Sequence, residues 1–242
     1  MPEGPSLKVY SAEIAQFEGK KITESGGYKN PFADKITGKK IESIGSYGKY
    51  FIFQFKDFFF TVHLGLFGSY MINDNKKVNA AFSMHFGSDF VNFYVVNVKL
   101  YDGKAEDHFD SKFDPFSEKF DGKMIAKKLM EKFPQKKIGD ILMNQDLFPG
   151  VGNVIRNEVL FLAKIHPESR VVKIPTRKVT ELIKHIQEFT VGSVPLVEKK
   201  IWKKSSAVYK KEEFKGKPVE MYVSKAIKRK TFFVKSVQKL YE

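Results

Sequence analysis

The chain has 242 residues, 42% of them apolar and 24 of them phenylalanine, enough for one or two domains with a substantial core. Cysteine is absent, which excludes disulfides and thiolate metal sites; no apolar run reaches the ~18 residues of a membrane span, and the start is not a secretory signal. With 42 Lys and Arg against 28 Asp and Glu, the net charge of +14 points to a polyanionic partner, nucleic acid ahead of an anionic membrane, with a merely solvated lysine-rich surface as the plain alternative.

The chain opens Met1-Pro2-Glu3-Gly4-Pro5-Ser6. Once Met1 is removed, Pro2 carries a secondary amine that can attack a carbonyl-level carbon and form an iminium, and Glu3 sets a carboxylate beside it. Gly4 and Pro5 read as the N-cap and first position of a helix, whose positive end disfavours an ammonium. The same residues also fit an ordinary start followed by a helix cap. Leu7, Tyr10, Ile14 and Phe17 share one stripe, which predicts a helix over 5–17. Residues 20–116 then read as strands. Segment 39–44 leads through Gly45 and Gly48 into 50–55, Lys56-Asp57 turns, and 58–63 returns. Segments 80–86 and 90–101 form another hairpin about Gly87-Ser88-Asp89. Short antiparallel strands at this spacing predict a β-sandwich.

Two stretches in this half invite a functional reading. Lys49, in Gly48-Lys49-Tyr50, stands at the start of an otherwise apolar strand, as a solvated edge residue or as a phosphate clamp. In His63-Leu64-Gly65-Leu66-Phe67-Gly68-Ser69-Tyr70, two large apolar residues lie between glycines, where a turn favours polar ones. They are either a bulged core strand or a wedge of the kind that unstacks base steps.

The character changes near Asp114-Pro115, with a linker over 115–121. Helical periodicity follows over 120–133, 137–147, 153–164 and 176–191, and from about 205 the chain is strand-like, basic and aromatic. Phe148-Pro149-Gly150-Val151-Gly152 interrupts the helices, its glycines allowing tight turns and close approach to a ligand. Asn153 then begins a helix with free N–H groups, a natural phosphate site, although a plain helical hairpin fits the spacing as well. Lys225, Lys228, Arg229 and Lys230 beside Thr231, Phe232 and Phe233 suit a hairpin that grips a nucleic-acid backbone, or a solvated strand face over a small core. The five histidines do not cluster at metal-ligand spacing. The expected fold class is α+β, in three parts: a β-sandwich domain over 1–116, a helical domain over 122–204 and a terminal hairpin over 205–242.

Together these stretches, in this order over essentially the whole chain, resemble the formamidopyrimidine-DNA glycosylase / endonuclease VIII family. The Met1-Pro2-Glu3-Gly4-Pro5 start is similar to the family's catalytic N-terminus, Gly48-Lys49-Tyr50 to its strand lysine, and 137–158 continuing to His166-Pro167 to its helix-two-turn-helix motif. The resemblance implies a bifunctional glycosylase and lyase of base excision repair that acts on damaged duplex DNA as a monomer, in the cytoplasm at the nucleoid, with no membrane and no cofactor. It implies that Pro2 attacks C1′ of an extruded nucleotide and that Glu3 moves protons during ring opening and elimination. Lys49 and Asn153 would hold the flanking phosphates, and Arg229 the same backbone. The resulting iminium acidifies the C2′ hydrogen, so β- and then δ-elimination follow.

Three departures from the family pattern stand out. Ser6 occupies the place of a common glutamate, where it is left to cap the helix. Val219, Tyr222, Val234 and Val237 occupy the places of four zinc-binding cysteines, which implies a zinc-less finger pinned by an apolar cluster at those four positions. The stretch Val96-Asn97-Val98-Lys99-Leu100-Tyr101 lacks the loop that reads the opposite base in the formamidopyrimidine branch, whereas Leu66-Phe67 resembles the endonuclease VIII wedge. The segment after 176–191 is also short. Oxidised pyrimidines are therefore expected ahead of 8-oxoguanine. The alternatives are an 8-oxoguanine/formamidopyrimidine-type glycosylase and a damaged-DNA-binding protein that has lost catalysis.

Overall fold

Leu7, Ile14 and Phe17, spaced for one helical face, are fully buried in the computed structural model, which describes residues 2–242. Met1, and with it the expected removal of Met1, lies outside the described residues. Helix α1 (Gly4–Ile14) runs into a 3-10 turn at Ala15–Phe17, and it begins at Gly4 itself, one residue ahead of the expected Pro5.

The N-terminal unit comprises Pro2 and Ser6–Asp110. After α1 come β1 (Glu24–Gly26), helix α2 (Ala33–Ile36), β2 (Ser43–Tyr47), β3 (Tyr50–Gln54), β4 (Phe58–His63), β5 (Ser69–Ile72), β6 (Phe82–Phe86), β7 (Asp89–Tyr94), β8 (Asn97–Asp102) and helix α3 (Ala105–His108). The strands form two antiparallel sheets, ordered β1-β6-β7-β5 and β2-β3-β4-β8. Alternation decides which side chains fill the space between them. Phe51 and Phe53 of β3 meet Phe93 of β7 edge-on, with ring centroids 5.7 and 6.0 Å apart.

Two expectations change here. The strand expected over 39–44 starts only at Ser43, and two short helices lie within the segment read as strands. The single strand expected over 90–101 is two strands in different sheets, broken at Val95. Val95 has φ 55, an uncommon conformation for a β-branched residue, and neighbouring apolar residues hid the break in the pattern. His63 pairs with Asn97 and Ser69 with Tyr94, so the β4–β5 link and the β7–β8 link run side by side at one end of the sandwich.

The C-terminal unit comprises Glu3–Pro5 and Ser111–Glu242. Its elements are α4 (Gly122–Lys132), α5 (Ile138–Ile141), α6 (Asn153–Leu162), α7 (Thr176–Gly192), α8 (Val194–Glu198), and strands β9 (Glu213–Phe214), β10 (Lys217–Pro218), β11 (Glu220–Val223) and β12 (Lys230–Phe233). Val179, Leu182, Ile183 and Ile186 give α7 a continuous buried face at helical spacing. Asp121 caps α4 by accepting from the Met124 amide at 2.9 Å. The helix expected over 137–147 shrinks to four residues. Asn144 Oδ1 accepts from the amides of Asp146 and Leu147 and offers the backbone a turn instead.

Charge divides unevenly between the units. The C-terminal unit holds 29 Lys and Arg against 16 Asp and Glu, a net of +13, and the N-terminal unit 13 against 12, a net of +1. The attraction for a polyanion therefore resides almost wholly in the helical unit.

Candidate active site

Helix α6 leaves its first amides without intrahelical partners, and these would attract an anion. The anion is Glu3. Its Oε1 accepts from the Val154 amide at 2.8 Å, and its Oε2 from the amides of Gly152 and Ile155, both at 3.1 Å. The carboxylate is 2% exposed, so these bonds form away from bulk water. The Gly4 amide donates to the Gly150 carbonyl at 3.0 Å and anchors the same segment. Gly152 is required by this approach, since a Cβ there would lie 2.3 Å from Glu3 Cδ. The expected phosphate site at free α6 amides is thus corrected: Gly152, Val154 and Ile155 donate to Glu3, a partner roughly 150 residues away in sequence that local reading does not reveal. Pro2, next to Glu3 in the chain, is half-buried.

Asn153 turns its Nδ2 to the Lys230 carbonyl at 3.0 Å, and its side chain also hydrogen-bonds the Tyr209 phenol. Burial, then the Glu3 charge, pushes the Tyr209 phenol above its ordinary range. Arg229 lies in the turn between β11 and β12. That turn is closed by Ser224 N–H to the Arg229 carbonyl at 3.0 Å and by Lys228 N–H to the Ser224 carbonyl at 2.9 Å. Glu3, Asn153 and Arg229 thus belong to one neighbourhood of the C-terminal unit.

Lys49, Leu66 and Phe67 belong to the N-terminal unit. Gly48 (φ 56) and Lys49 form the two-residue turn joining β2 to β3. Lys49 is only 7% exposed, which rules out a solvated edge lysine. Its charge reaches His63, whose pKa is lowered by burial first and by Lys49 second. Leu66 and Phe67 sit in a turn closed by Gly68 N–H to the Leu64 carbonyl at 2.7 Å. Gly65 has φ 57, and a Cβ on Gly68 would strike the Leu64 oxygen at 2.0 Å. The turn leaves Leu66 52% and Phe67 82% exposed, so the bulged-core reading fails. Val95, on the neighbouring link, is exposed too. Ser6 is buried as the third residue of α1 and hydrogen-bonds Tyr10, and so does not cap the helix.

At the four finger positions, Val219, Val234 and Val237 pack with Phe161 and Val208. Tyr222 departs from the expected cluster: its hydroxyl donates to Glu168 Oε1 at 2.6 Å. A half-buried phenol favours a polar partner, and Glu168 supplies it. Three valines and a tyrosine offer no thiolate or imidazole, so the donor set does not fit zinc. No group of three or more His, Cys, Asp or Glu among the described residues could hold a metal ion, and no helix among them is long and apolar enough to cross a membrane.

Sequence reading missed Arg156, Asn157 and Glu158, three consecutive buried polar residues of α6. Glu158 accepts from the amides of Ala207, Val208 and Tyr209 at 2.7, 2.9 and 2.8 Å. Asn157 Oδ1 accepts from Phe232 N–H at 2.7 Å. The signal was available: three adjacent polar residues in a helix otherwise apolar on every side have no solvated face to occupy.

Residues 1–95 match the family model of the formamidopyrimidine-DNA glycosylase N-terminal domain, and residues 112–203 that of the formamidopyrimidine-DNA glycosylase H2TH domain. Among solved structures, Lactococcus lactis formamidopyrimidine-DNA glycosylase bound to DNA with an AP site is 26% identical at a TM-score of 0.85, covering 98% of this chain and 99% of that one. The LlFpg protein in complex with THF-DNA and an inhibitor is 25% identical at a TM-score of 0.85, covering 98% and 100%. MutM in complex with carbocyclic 8-oxo-G DNA is 26% identical at a TM-score of 0.85, again covering 98% and 100%. No curated protein matches the chain.

Proposed function

This chain belongs to the formamidopyrimidine-DNA glycosylase family, and on that premise we propose that it excises oxidised bases from duplex DNA and then cleaves the strand as a lyase. The observation that carries the reading is Glu3, a carboxylate fixed on the Gly152 amide and two α6 amides, in direct chain continuity with Pro2. The Pro2 amine attacks C1′ as the base departs, and proton transfer by Glu3 opens the sugar. Loss of the ring C1′–O bond leaves an iminium between Pro2 and C1′. That iminium withdraws electrons from C1′, the C2′ proton is lost, and the 3′ phosphate leaves in β-elimination. The 5′ phosphate follows in δ-elimination, and water then releases Pro2.

Lys49 and Arg229 supply cations to the DNA backbone, and Asn153 an amide donor. Release of the Lys230 carbonyl would free that donor for a phosphate. Leu66 and Phe67 fill the vacated stack, with Val95 on the adjacent link as a third apolar side chain. Oxidised pyrimidines are preferred. In support, only Val95 and Val96 join β7 to β8, leaving no room there for a long loop. A formamidopyrimidine-type preference is the second reading, favoured by the relative captured with 8-oxo-G DNA.

The test is a panel of oligonucleotides carrying thymine glycol, 5-hydroxyuracil, 8-oxoguanine or formamidopyrimidine, in duplex and single-stranded form. Incision fastest at the pyrimidines in duplex supports the reading. Faster incision at the purines moves the preference to the second reading. Binding without incision of any lesion contradicts the enzyme.

A further inference from the structure

Arg156 is 0% exposed, and a fully buried arginine is unusual unless it is paired; here both Nη atoms are bonded and Nε is not. Its hydrogen bonds go to two carbonyls and a hydroxyl, not to a carboxylate. Its Nη1 donates to the Gly139 carbonyl of α5 at 3.2 Å, and its Nη2 to the Lys230 carbonyl at 3.1 Å and to Thr231 Oγ1 at 2.9 Å. One guanidinium therefore joins both helices of the helix-two-turn-helix to the first residues of β12. The Lys230 carbonyl is shared, since Asn153 Nδ2 donates to it as well. Arg229 is the residue immediately before that doubly held carbonyl. Its own carbonyl closes the turn with Ser224 N–H, while Ser224 Oγ donates to Asp140 Oδ1 of α5 at 2.6 Å. Both ends of the turn are thus fastened to the α5–α6 pair. The guanidinium stays charged at neutral pH although burial lowers its pKa to about 10.

We propose that Arg156 is a positioning residue that does for this hairpin what a metal does in a zinc finger: it fixes the Lys230 carbonyl, and so sets where Arg229 meets the DNA backbone. A buried charge is a poor stabiliser for its desolvation cost, and apolar replacements of similar volume are often tolerated. Its retention here is explained by geometry, because a planar fork can hold two carbonyls and a hydroxyl in a fixed relation.

The proposal rests on the phosphate role given to Arg229 above, so its test has one arm that is independent of that role. In the protein alone, hydrogen exchange at amides 224–233 rises in Arg156→Met, while that of α7 stays unchanged. Unchanged exchange in the hairpin overturns the positioning role, whatever the enzyme does. The second arm is a double-mutant cycle on equilibrium binding to a duplex with a tetrahydrofuran abasic analogue. Arg156→Met and Arg229→Ala each weaken binding about tenfold, the worth of one charge-assisted contact, and the double variant is no weaker than either alone. Each also lowers the salt slope by about 1. A merely structural role would leave the two losses multiplicative, and that outcome overturns the proposal. Thr231→Val, which removes one acceptor and keeps the arginine, gives the same non-additive pattern more weakly and replaces Arg156→Met if that variant does not fold. If Arg229→Ala binds as wild type does, the phosphate role of Arg229 fails, and with it the second half of the proposal.

Discussion

Gly152→Ala tests how Glu3 is held. The added Cβ would sit 2.3 Å from Glu3 Cδ and 2.5 Å from both Cγ and Oε1, whereas non-bonded carbons rest about 3.5–4.0 Å apart. The carboxylate must retreat by more than about 1 Å, which breaks all three bonds to the amides of Gly152, Val154 and Ile155. Hydrogen bonds to a charged partner contribute about 1.5–3 kcal/mol each, but the displaced carboxylate regains water, so we expect a net loss of about 3 kcal/mol. Glu3→Ala removes Cγ and Cδ together with the bonds. In that background Gly152→Ala should cost less than about 1 kcal/mol, the difference between glycine and alanine at an N-cap. The backbone there, at φ −121, is open to any residue. Urea unfolding of the two single variants and the double variant gives the coupling directly. A Gly152→Ala protein as stable as wild type, or losses that simply add, would refute the placement of Glu3. Excision should fall in Gly152→Ala along with stability, because the carboxylate beside Pro2 is displaced.

Leu66→Ala with Phe67→Ala should leave stability within about 0.5 kcal/mol of wild type, because both side chains are exposed, yet lower single-turnover excision; an unfolding shift with normal excision would return them to the core. Lys49→Met should raise the pKa of His63 toward its usual value, since Lys49 is the second cause of its lowering after burial; an unchanged NMR titration would place the two apart. His63 and His166 both bind protons less readily folded than unfolded, chiefly through burial, so stability should fall as pH drops below about 6.5 and level off under their folded pKa values; stability flat from pH 7 to 5 would contradict this. Excision should persist after dialysis against a chelator, and a loss restored by zinc would contradict the zinc-less finger.

The fold was legible where a period repeats. Alternating phenylalanines in β3 and the stripe on α7 marked the sandwich and the helical unit, because burial of one face forces those spacings. Where the period was silent, the sequence misled. Val95 lies in an apolar run, so nothing local marks the left-handed kink that sends β7 and β8 to different sheets. Gly152 was rightly read as a point of close approach, but the group that approaches is Glu3 and not a phosphate. That partner lies at the other end of the chain, and helical spacing carries no information about it. Leu66 and Phe67 were legible in the opposite sense, as residues that break turn chemistry, and they are indeed held outward by the glycines around them. Arg156 escaped because a charged residue on a helix ordinarily faces water, and its place among the apolar residues of α6, which are buried from Val154 to Phe161, went unweighed.

Schiff-base chemistry at Pro2 is the central claim. Its most direct measurement is borohydride reduction of the protein on a lesion-bearing duplex, followed by peptide mapping of the adduct. A covalent protein–DNA species joined at Pro2, absent in Pro2→Gly and when Met1 is retained, is the predicted result. An adduct at a lysine, or none on any oxidised or abasic duplex that the protein binds, would contradict it.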